Sequence, residues 1–256
     1  MFLKSPEADL LVSSFGAGSR TLVAHGGWVG SGELWHAPFE ILSIHWRCVT
    51  YDHRGTGGSV VHAQPITFEH LVDDLFRVLD ALNIEQCVLA GESAGAFVVL
   101  EAALRQPSRF TGLVIVDGRY EGGKSAGATR FIEGCKADFA ATMKMFVNAC
   151  VPEEDAQAEK RWGEQIVMRS NAQAAVQLME CLEPVELQSR LLQISLPTLL
   201  LHGSRDVITP VASSEKLAAL LPNAKLQIIE GAGHVPTVTR PAVVAEAIDD
   251  FFSQPS

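Results

Sequence analysis

The chain predicts an α/β fold: a mostly parallel central sheet with helices on both faces, interrupted by an inserted helical segment. From residue 8 to 118, short apolar runs alternate with stretches of helical period, the pattern of a sheet built from strand–helix–strand units. From about 120 to 190 the strand signal disappears and only helical stretches remain. Strand alternation resumes at Pro197. Residues 1–119 and 191–256 therefore form one core domain, and 120–190 an insertion within it.

The elements follow in order. Thr21-Leu22-Val23-Ala24 and Cys87-Val88-Leu89-Ala90 read as interior strands, as does Gly112-Leu113-Val114-Ile115-Val116-Asp117. The clearest helix begins near Thr67, where Phe68, Leu71, Val72, Leu75, Phe76, Leu79 and Leu82 recur at helical spacing. Asp73, Asp74 and Asp80 lie off that stripe and read as a solvated face. Pro197-Thr198-Leu199-Leu200-Leu201-His202-Gly203 and Ala224-Lys225-Leu226-Gln227-Ile228-Ile229-Glu230 are the last two strands. Helices are expected from Thr209-Pro210 to Leu221 and from Pro241 to Phe252, the first with Thr209 as its capping oxygen and Pro210 in its first turn.

Gly91-Glu92-Ser93-Ala94-Gly95 falls between the strand ending at Ala90 and an apolar helix that starts at Ala96. A G-x-S-x-G at a strand-to-helix junction forms a sharp turn that lifts the serine hydroxyl above the sheet, and crowding around it demands glycine on either side. A serine nucleophile needs a base and an orienting acid, supplied in the chain order Ser, Asp or Glu, His. Asp206 follows the strand ending at Gly203, and His234 follows the one ending at Glu230. All three lie beyond carboxyl ends of strands, the rim where open α/β sheets bind ligands. Asp117, at the end of the strand after the serine's helix, is the rival acid. His25 and His202 sit among glycines at strand ends, where they satisfy backbone groups or shape loops.

With these residues in place, the chain resembles the α/β-hydrolase superfamily over nearly its whole length. His25-Gly26-Gly27-Trp28 is similar to the family's oxyanion loop, and Asp52-His53-Arg54-Gly55-Thr56-Gly57-Gly58-Ser59 to its D-x-R-G-x-G-x-S turn. His202-Gly203 with Asp206 resembles the H-G-x-x-D acid loop, and Gly233-His234-Val235-Pro236 the G-H-x-P histidine loop. One departure is that many relatives carry a glutamate three residues beyond that proline, where this chain has Thr239. The resemblance implies a catalytic set of Ser93, Asp206 and His234. An oxyanion hole would come from the backbone N–H groups of Gly27 and Ala94, with Trp28 next in line. It also implies that 120–190 is a helical cap over the rim. Met143, Met145, Met168 and Met179 all lie in that stretch, and Trp28, Met143, Met145 and Phe146 are expected to line an adaptable apolar substrate pocket.

A chain of 256 residues with 47% hydrophobic content has ample material for a core. A net charge of −10 opposes binding to phosphate backbones or anionic membranes, so neither nucleic acid nor membrane is expected as a partner. No secretory signal is evident at the N-terminus, and Cys48 and Cys87 read as small buried residues, so cytoplasmic residence is the default expectation. No metal-binding spacing appears, and Gly55-Thr56-Gly57-Gly58 lacks the pattern of a nucleotide loop, so no cofactor is expected. The expected substrate is a small apolar ester, thioester or lactone. Carbon–carbon bond hydrolysis and cofactor-free haloperoxidase or lyase chemistry use the same three residues and stay open. So does a role as a slow-turnover small-molecule receptor, as in the strigolactone and karrikin receptors of plants that share this fold. A serine nucleophile disfavours dehalogenase and epoxide hydrolase chemistry, whose relatives use an aspartate at that position.

Overall fold

A computed structural model describes residues 1–63 and 65–253. Nine strands form one sheet: β1 (Phe2–Leu3), β2 (Ala8–Phe15), β3 (Arg20–His25), β4 (Trp46–Tyr51), β5 (Val60–Val61), β6 (Cys87–Glu92), β7 (Phe110–Val116), β8 (Thr198–Gly203) and β9 (Ala224–Ile229). Their spatial order is β1-β2-β4-β3-β6-β7-β8-β9, with β5 pairing with β2. The pairs that involve β2 are antiparallel, and every pair from β4 across to β9 is parallel. Residues of β6 and β8 are buried along their whole length. That matches their unbroken apolar runs, because a parallel strand is covered on both faces.

The helices are α1 (His36–Leu42), α2 (Phe68–Ala81), α3 (Gly95–Arg105), α4 (Ala126–Ala137), α5 (Phe139–Cys150), α6 (Gln157–Val167), α7 (Ala172–Glu180), α8 (Val211–Leu220), α9 (Pro236–Thr239) and α10 (Pro241–Ser253). One core cluster gathers α2 and α3 residues such as Leu75, Leu79, Phe97 and Leu100 against the sheet. A second packs Trp35 and Phe39 with Val244 and Ile248 of α10 on other residues of the same strands. Between β7 and β8 the chain makes α4 to α7 and no named strand. Among the described residues, no helix is long and apolar enough to cross a membrane.

Strand register positions the site. His25 pairs with Gly91, Glu92 with Val116, Val116 with Leu201, and Gly203 with Ile229. The loops that follow β3, β6, β7, β8 and β9 therefore leave one edge of the sheet side by side.

Two expectations need correction. Thr67 does cap α2, its hydroxyl accepting the His70 N–H at 3.2 Å. Asp73 and Asp80 are exposed as expected, but Asp74 is not: it is 2% exposed and takes Arg54 Nε at 2.7 Å and Nη2 at 3.1 Å. Arg54 comes from the turn after β4 and is itself buried, so the helix surface facing that turn is polar without being solvated. At α8, Pro210 occupies the cap position and no side chain caps the helix. The Thr209 N–H is instead given to Asp206 Oδ1 at 3.0 Å.

Removing one partner of a buried, hydrogen-bonded ion pair strands the other charge. Asp74→Ala should lower stability by about 3–5 kcal/mol in urea unfolding. Asp73→Ala, on the exposed face of the same helix, should stay within about 0.5 kcal/mol of wild type. Equal effects would contradict the buried pairing.

Candidate functional site

Ser93 stands where β6 turns into α3, with a left-handed backbone at φ 52°. Such a conformation costs a non-glycine residue on the order of 1–3 kcal/mol and persists only when its surroundings impose it. Its N–H donates to Val116 O at 2.8 Å, and its carbonyl accepts the Arg119 N–H at 3.0 Å. A Cβ at Gly91 would lie 2.6 Å from Val99 Cγ2, and one at Gly95 would lie 2.5 Å from Gly26 O. Both glycines are therefore steric requirements of the turn.

The three expected side chains converge. Ser93 Oγ lies 2.8 Å from His234 Nε2, and His234 Nδ1 lies 2.7 Å from Asp206 Oδ2. An ionised Asp206 only accepts, so Nδ1 carries the proton and Nε2 accepts from the serine hydroxyl. Asp206 Oδ1 takes the N–H groups of Ile208 at 2.7 Å and Thr209 at 3.0 Å. Burial pushes the Asp206 carboxyl upward, but the charge of His234, the imidazoles of His202 and His234 and the Thr209 N–H outweigh it. The net result is a carboxyl held below the ordinary carboxylate range. His202 donates Nε2–H to Thr209 O at 2.9 Å and accepts from Ser214 Oγ at 2.7 Å, so it organises the acid loop.

Asp117, the rival acid, is fully buried with φ 48°, and its Oδ1 accepts the Gly203 N–H at 2.9 Å. It makes no hydrogen bond to His234. Burial and then the neighbouring charge of Asp206 drive its carboxyl well above the ordinary range. Asp117, Asp206 and His234 are the one set among the described residues whose ligand-type atoms lie within 4.8 Å of one another. The hydrogen bonds just given engage Asp117 Oδ1, both oxygens of Asp206 and both ring nitrogens of His234, and leave Asp117 Oδ2 without a hydrogen-bond partner among the described residues.

Gly27 sits against Ser93: a Cβ there would lie 3.4 Å from Ser93 Cβ. The loop is held by His25, whose buried ring donates Nδ1–H to Gly26 O at 2.7 Å. Burial lowers the His25 pKa to about 4, against the pull of that carbonyl, so the ring is neutral. Ala94 heads α3, where the first N–H groups have no intrahelical acceptor. Trp28 is buried, donates Nε1–H to Ala175 O at 2.7 Å, and packs edge-on against Phe146 at 5.2 Å.

Two cavities meet at Ser93. One of about 310 Å³ is bounded by Trp28, Ala94, Arg119, Phe131 and Phe146. The other, about 50 Å³ and almost wholly apolar, is bounded by Gly27, His234, Phe146, Val147 and Val238. Trp28 and Phe146 line both. Met143 and Met145 line neither, contrary to expectation. Successive residues of a helix diverge by roughly 100°, so when Phe146 and Val147 face the cavities, Met143 is sealed in the core and Met145 is 41% exposed. A larger recess of about 540 Å³, bounded by Ile66, Glu101 and Arg190, does not include Ser93.

Several residues of the site carried no sequence signal. Glu92 fills a position that the G-x-S-x-G pattern leaves open, yet it is fully buried and its Oε2 accepts from Thr237 Oγ1 at 2.8 Å. Burial first, and the charge of Asp206 next, raise its pKa to about 8 despite the Thr237 hydrogen bond. Glu153 Oε1 accepts both the Gly233 N–H at 2.8 Å and Thr239 Oγ1 at 2.9 Å, and Cys150 O accepts the His234 N–H at 2.8 Å. A carboxylate thus does support the histidine loop, but it arrives from the segment after α5, and Thr239 reaches out to meet it.

A profile of the alpha/beta hydrolase fold matches residues 20–241 of this chain. A protein of Caulobacter vibrioides (strain NA1000 / CB15N), provisionally named carbamate hydrolase RutD, is 30% identical over 254 residues, covering 92% of this chain and 91% of its own. A hydrolase of known structure from Pseudomonas aeruginosa PA01 is similar with a TM-score of 0.89 and 26% identity, over 99% of this chain and 98% of that one. The enol-lactonase of Burkholderia xenovorans LB400 also has a TM-score of 0.89, at 18% identity over 96% and 97% of the two chains, a likeness of fold alone.

Glu92 makes stability pH-dependent. Its ordinary pKa is 4.5 and its folded pKa about 8, so the folded protein binds this proton more tightly. The stabilisation is complete below pH 4.5 and is lost as pH rises through 8. Relative to Glu92→Gln, wild type should lose up to about 1.4 kcal/mol per pH unit between pH 5 and 8 in urea unfolding. Parallel stability curves would contradict a buried, protonated Glu92.

Proposed function

Because the chain belongs to the alpha/beta hydrolase fold family, we propose that this hydrolase cleaves a small carboxylic ester, thioester or lactone through an acyl-enzyme on Ser93. The observation that carries the proposal is the unbroken hydrogen-bonded line from Ser93 Oγ through His234 to Asp206. In this reading Ser93 Oγ attacks the carbonyl carbon as His234 Nε2 takes its proton. Asp206 holds the ring in the tautomer that leaves Nε2 free and stabilises the imidazolium that forms. His234 then delivers the proton to the leaving oxygen, nitrogen or sulfur, and a water repeats the sequence to release the acid.

The oxyanion of the tetrahedral intermediate is assigned to the N–H groups of Gly27 and Ala94, each worth about 2.7–4 kcal/mol of barrier. The closeness of Gly27 to Ser93 and the free helix start at Ala94 support this assignment. Residues 120–190 act as a cap, since α4 and α5 contribute Phe131 and Phe146 to the cavity walls beside the nucleophile. Hydrolysis of a carbamate is the second reading, favoured by the name of the Caulobacter relative. A carbamate presents the same kind of carbonyl to Ser93 and differs by the nitrogen attached to it.

A panel of short-chain methyl esters, lactones and methyl carbamates, run on wild type and Ser93→Ala, decides between the readings. Turnover of the esters or lactones, reduced roughly 10⁴-fold or more by Ser93→Ala, is expected. Turnover confined to the carbamates would transfer the assignment to the second reading. Turnover that survives Ser93→Ala would overturn both.

Asp206→Asn, which forces the wrong tautomer on His234, should lower kcat by about 10⁴. Asp117→Asn, which replaces a carboxyl that makes no hydrogen bond to His234 with an amide of the same shape, should retain most activity. The reverse order would make Asp117 the acid.

A further inference from the structure

Arg119 is one of two cations, with Lys124, that line the larger cavity, and it is the less exposed of the two. Its backbone N–H is bonded to Ser93 O, which fixes the root of the side chain at the nucleophile turn. Its side chain lines the cavity of about 310 Å³ that Ser93 also lines. Among the described residues the guanidinium makes one hydrogen bond, a long one of 3.7 Å from Nη1 to Met179 Sδ, and it forms no ion pair. Arg20, Arg54, Arg77, Arg105, Arg109, Arg169 and Arg190 each pair with a carboxylate, whereas Arg47, Arg130, Arg161, Arg205 and Arg240 form no ion pair among the described residues either; Arg119 is set apart from these by lining the cavity that Ser93 lines.

Burial lowers the Arg119 pKa, and the charges of Glu183 and Glu121 oppose that from beyond ion-pair distance. An arginine stays protonated at any working pH, so the cavity holds a partly desolvated charge without a counter-ion in contact. A desolvated charge is costly unless something pairs with it. The surroundings reinforce the sign: Lys124 stands exposed at the mouth, although Glu121 lies there too, and α4 begins in the cavity wall at Ser125 and Gly127. The start of a helix carries partial positive charge.

We propose that Arg119 recognises a carboxylate on the acyl part of the substrate, which makes the preferred substrate a half-ester of a dicarboxylic acid or a compound of that charge. This rests on the hydrolase reading above. The orientation follows from the proton path. His234 must protonate the leaving group, and His234 lines the small apolar slot of about 50 Å³ but not the larger cavity. A small leaving alcohol therefore fits the slot, and the acyl chain extends past Ala94 toward Arg119. The planar two-toothed donor face of a guanidinium matches a carboxylate in a way a lysine cannot. In a chain of net charge −10, long-range steering would repel an anion. Recognition of one requires a local, unpaired cation, and Arg119 supplies it.

The test compares monomethyl succinate, glutarate and adipate with methyl butanoate, pentanoate and hexanoate, their uncharged counterparts of equal chain length. Wild type, Arg119→Gln and Arg119→Lys are assayed for methanol release. For at least one chain length, wild type should prefer the charged ester. Arg119→Gln should cut the ratio of charged to uncharged kcat/KM roughly 10- to 100-fold, mainly through KM, the loss of one charge-assisted contact. Arg119→Lys should restore part of it.

An unchanged ratio in Arg119→Gln, at every chain length, overturns the proposal even if the protein is an active esterase. A second arm needs no turnover: calorimetric binding of the three half-esters to Ser93→Ala and to Ser93→Ala/Arg119→Gln. Binding lost on adding Arg119→Gln supports the proposal, and equal binding or none to either overturns it. Failure of wild type on all six esters, with half-ester binding intact, would sink the esterase reading and leave the Arg119 assignment standing.

Discussion

Ser93 holds a left-handed backbone that its side chain disfavours, and the arrangement of the site follows from keeping it there. The turn is gripped from two sides, by Val116 O on the neighbouring strand and by the N–H of Arg119 beyond it. That grip exists because β6 and β7 run in register to their ends. The register of β3 on β6 brings Gly26 close enough to Gly95 to exclude any side chain there, so the loop after β3 is pressed onto the Ser93 turn. A relaxed turn would drop the hydroxyl away from His234 Nε2. The strain is thus what converts sheet geometry into a 2.8 Å contact between groups 141 residues apart.

Electrostatics set the second constraint. Three carboxyl groups, Glu92, Asp117 and Asp206, lie buried in one neighbourhood with the imidazoles of His202 and His234, with little or no access to water. Three negative charges so close together could not coexist. Donors are distributed unequally. Asp206 receives two backbone N–H groups and the His234 ring, and so keeps its charge. Asp117 receives one N–H and Glu92 one hydroxyl, and burial raises both, Glu92 to about 8 and Asp117 well above the ordinary carboxylate range. The site therefore presents a single negative charge to His234, aimed at Nδ1.

The segment between β7 and β8 takes part in this arrangement as well as lying beside it. Cys150 and Glu153 hold the backbone of Gly233 and His234, and Pro152 occupies the space a side chain at Gly233 would need. The helices that wall the cavities and the loop that carries the histidine are thus one packed unit. A shift of α5 would move both the pocket and the base.

Much of this is determined by the sequence alone. The succession of strands and helices along the chain, the serine turn, and the chain positions of Ser93, Asp206 and His234 are legible because each rests on a local rule. A fully buried strand must be apolar, a crowded left-handed turn must be flanked by glycine, and ligands gather where parallel strands end. What only the tertiary structure decided involves partners distant in sequence. Asp74 looks solvated by its place on α2 and is buried because Arg54 arrives from another loop. Glu92 and Glu153 gain their roles from Thr237 and Thr239, far along the chain. Met143 and Met145 share a composition that suits a pocket, but the rotation of α5 about its axis turned Phe146 inward and left them out. Local sequence sets which residues can form an element. Only packing sets how that element is rotated and which charge it meets.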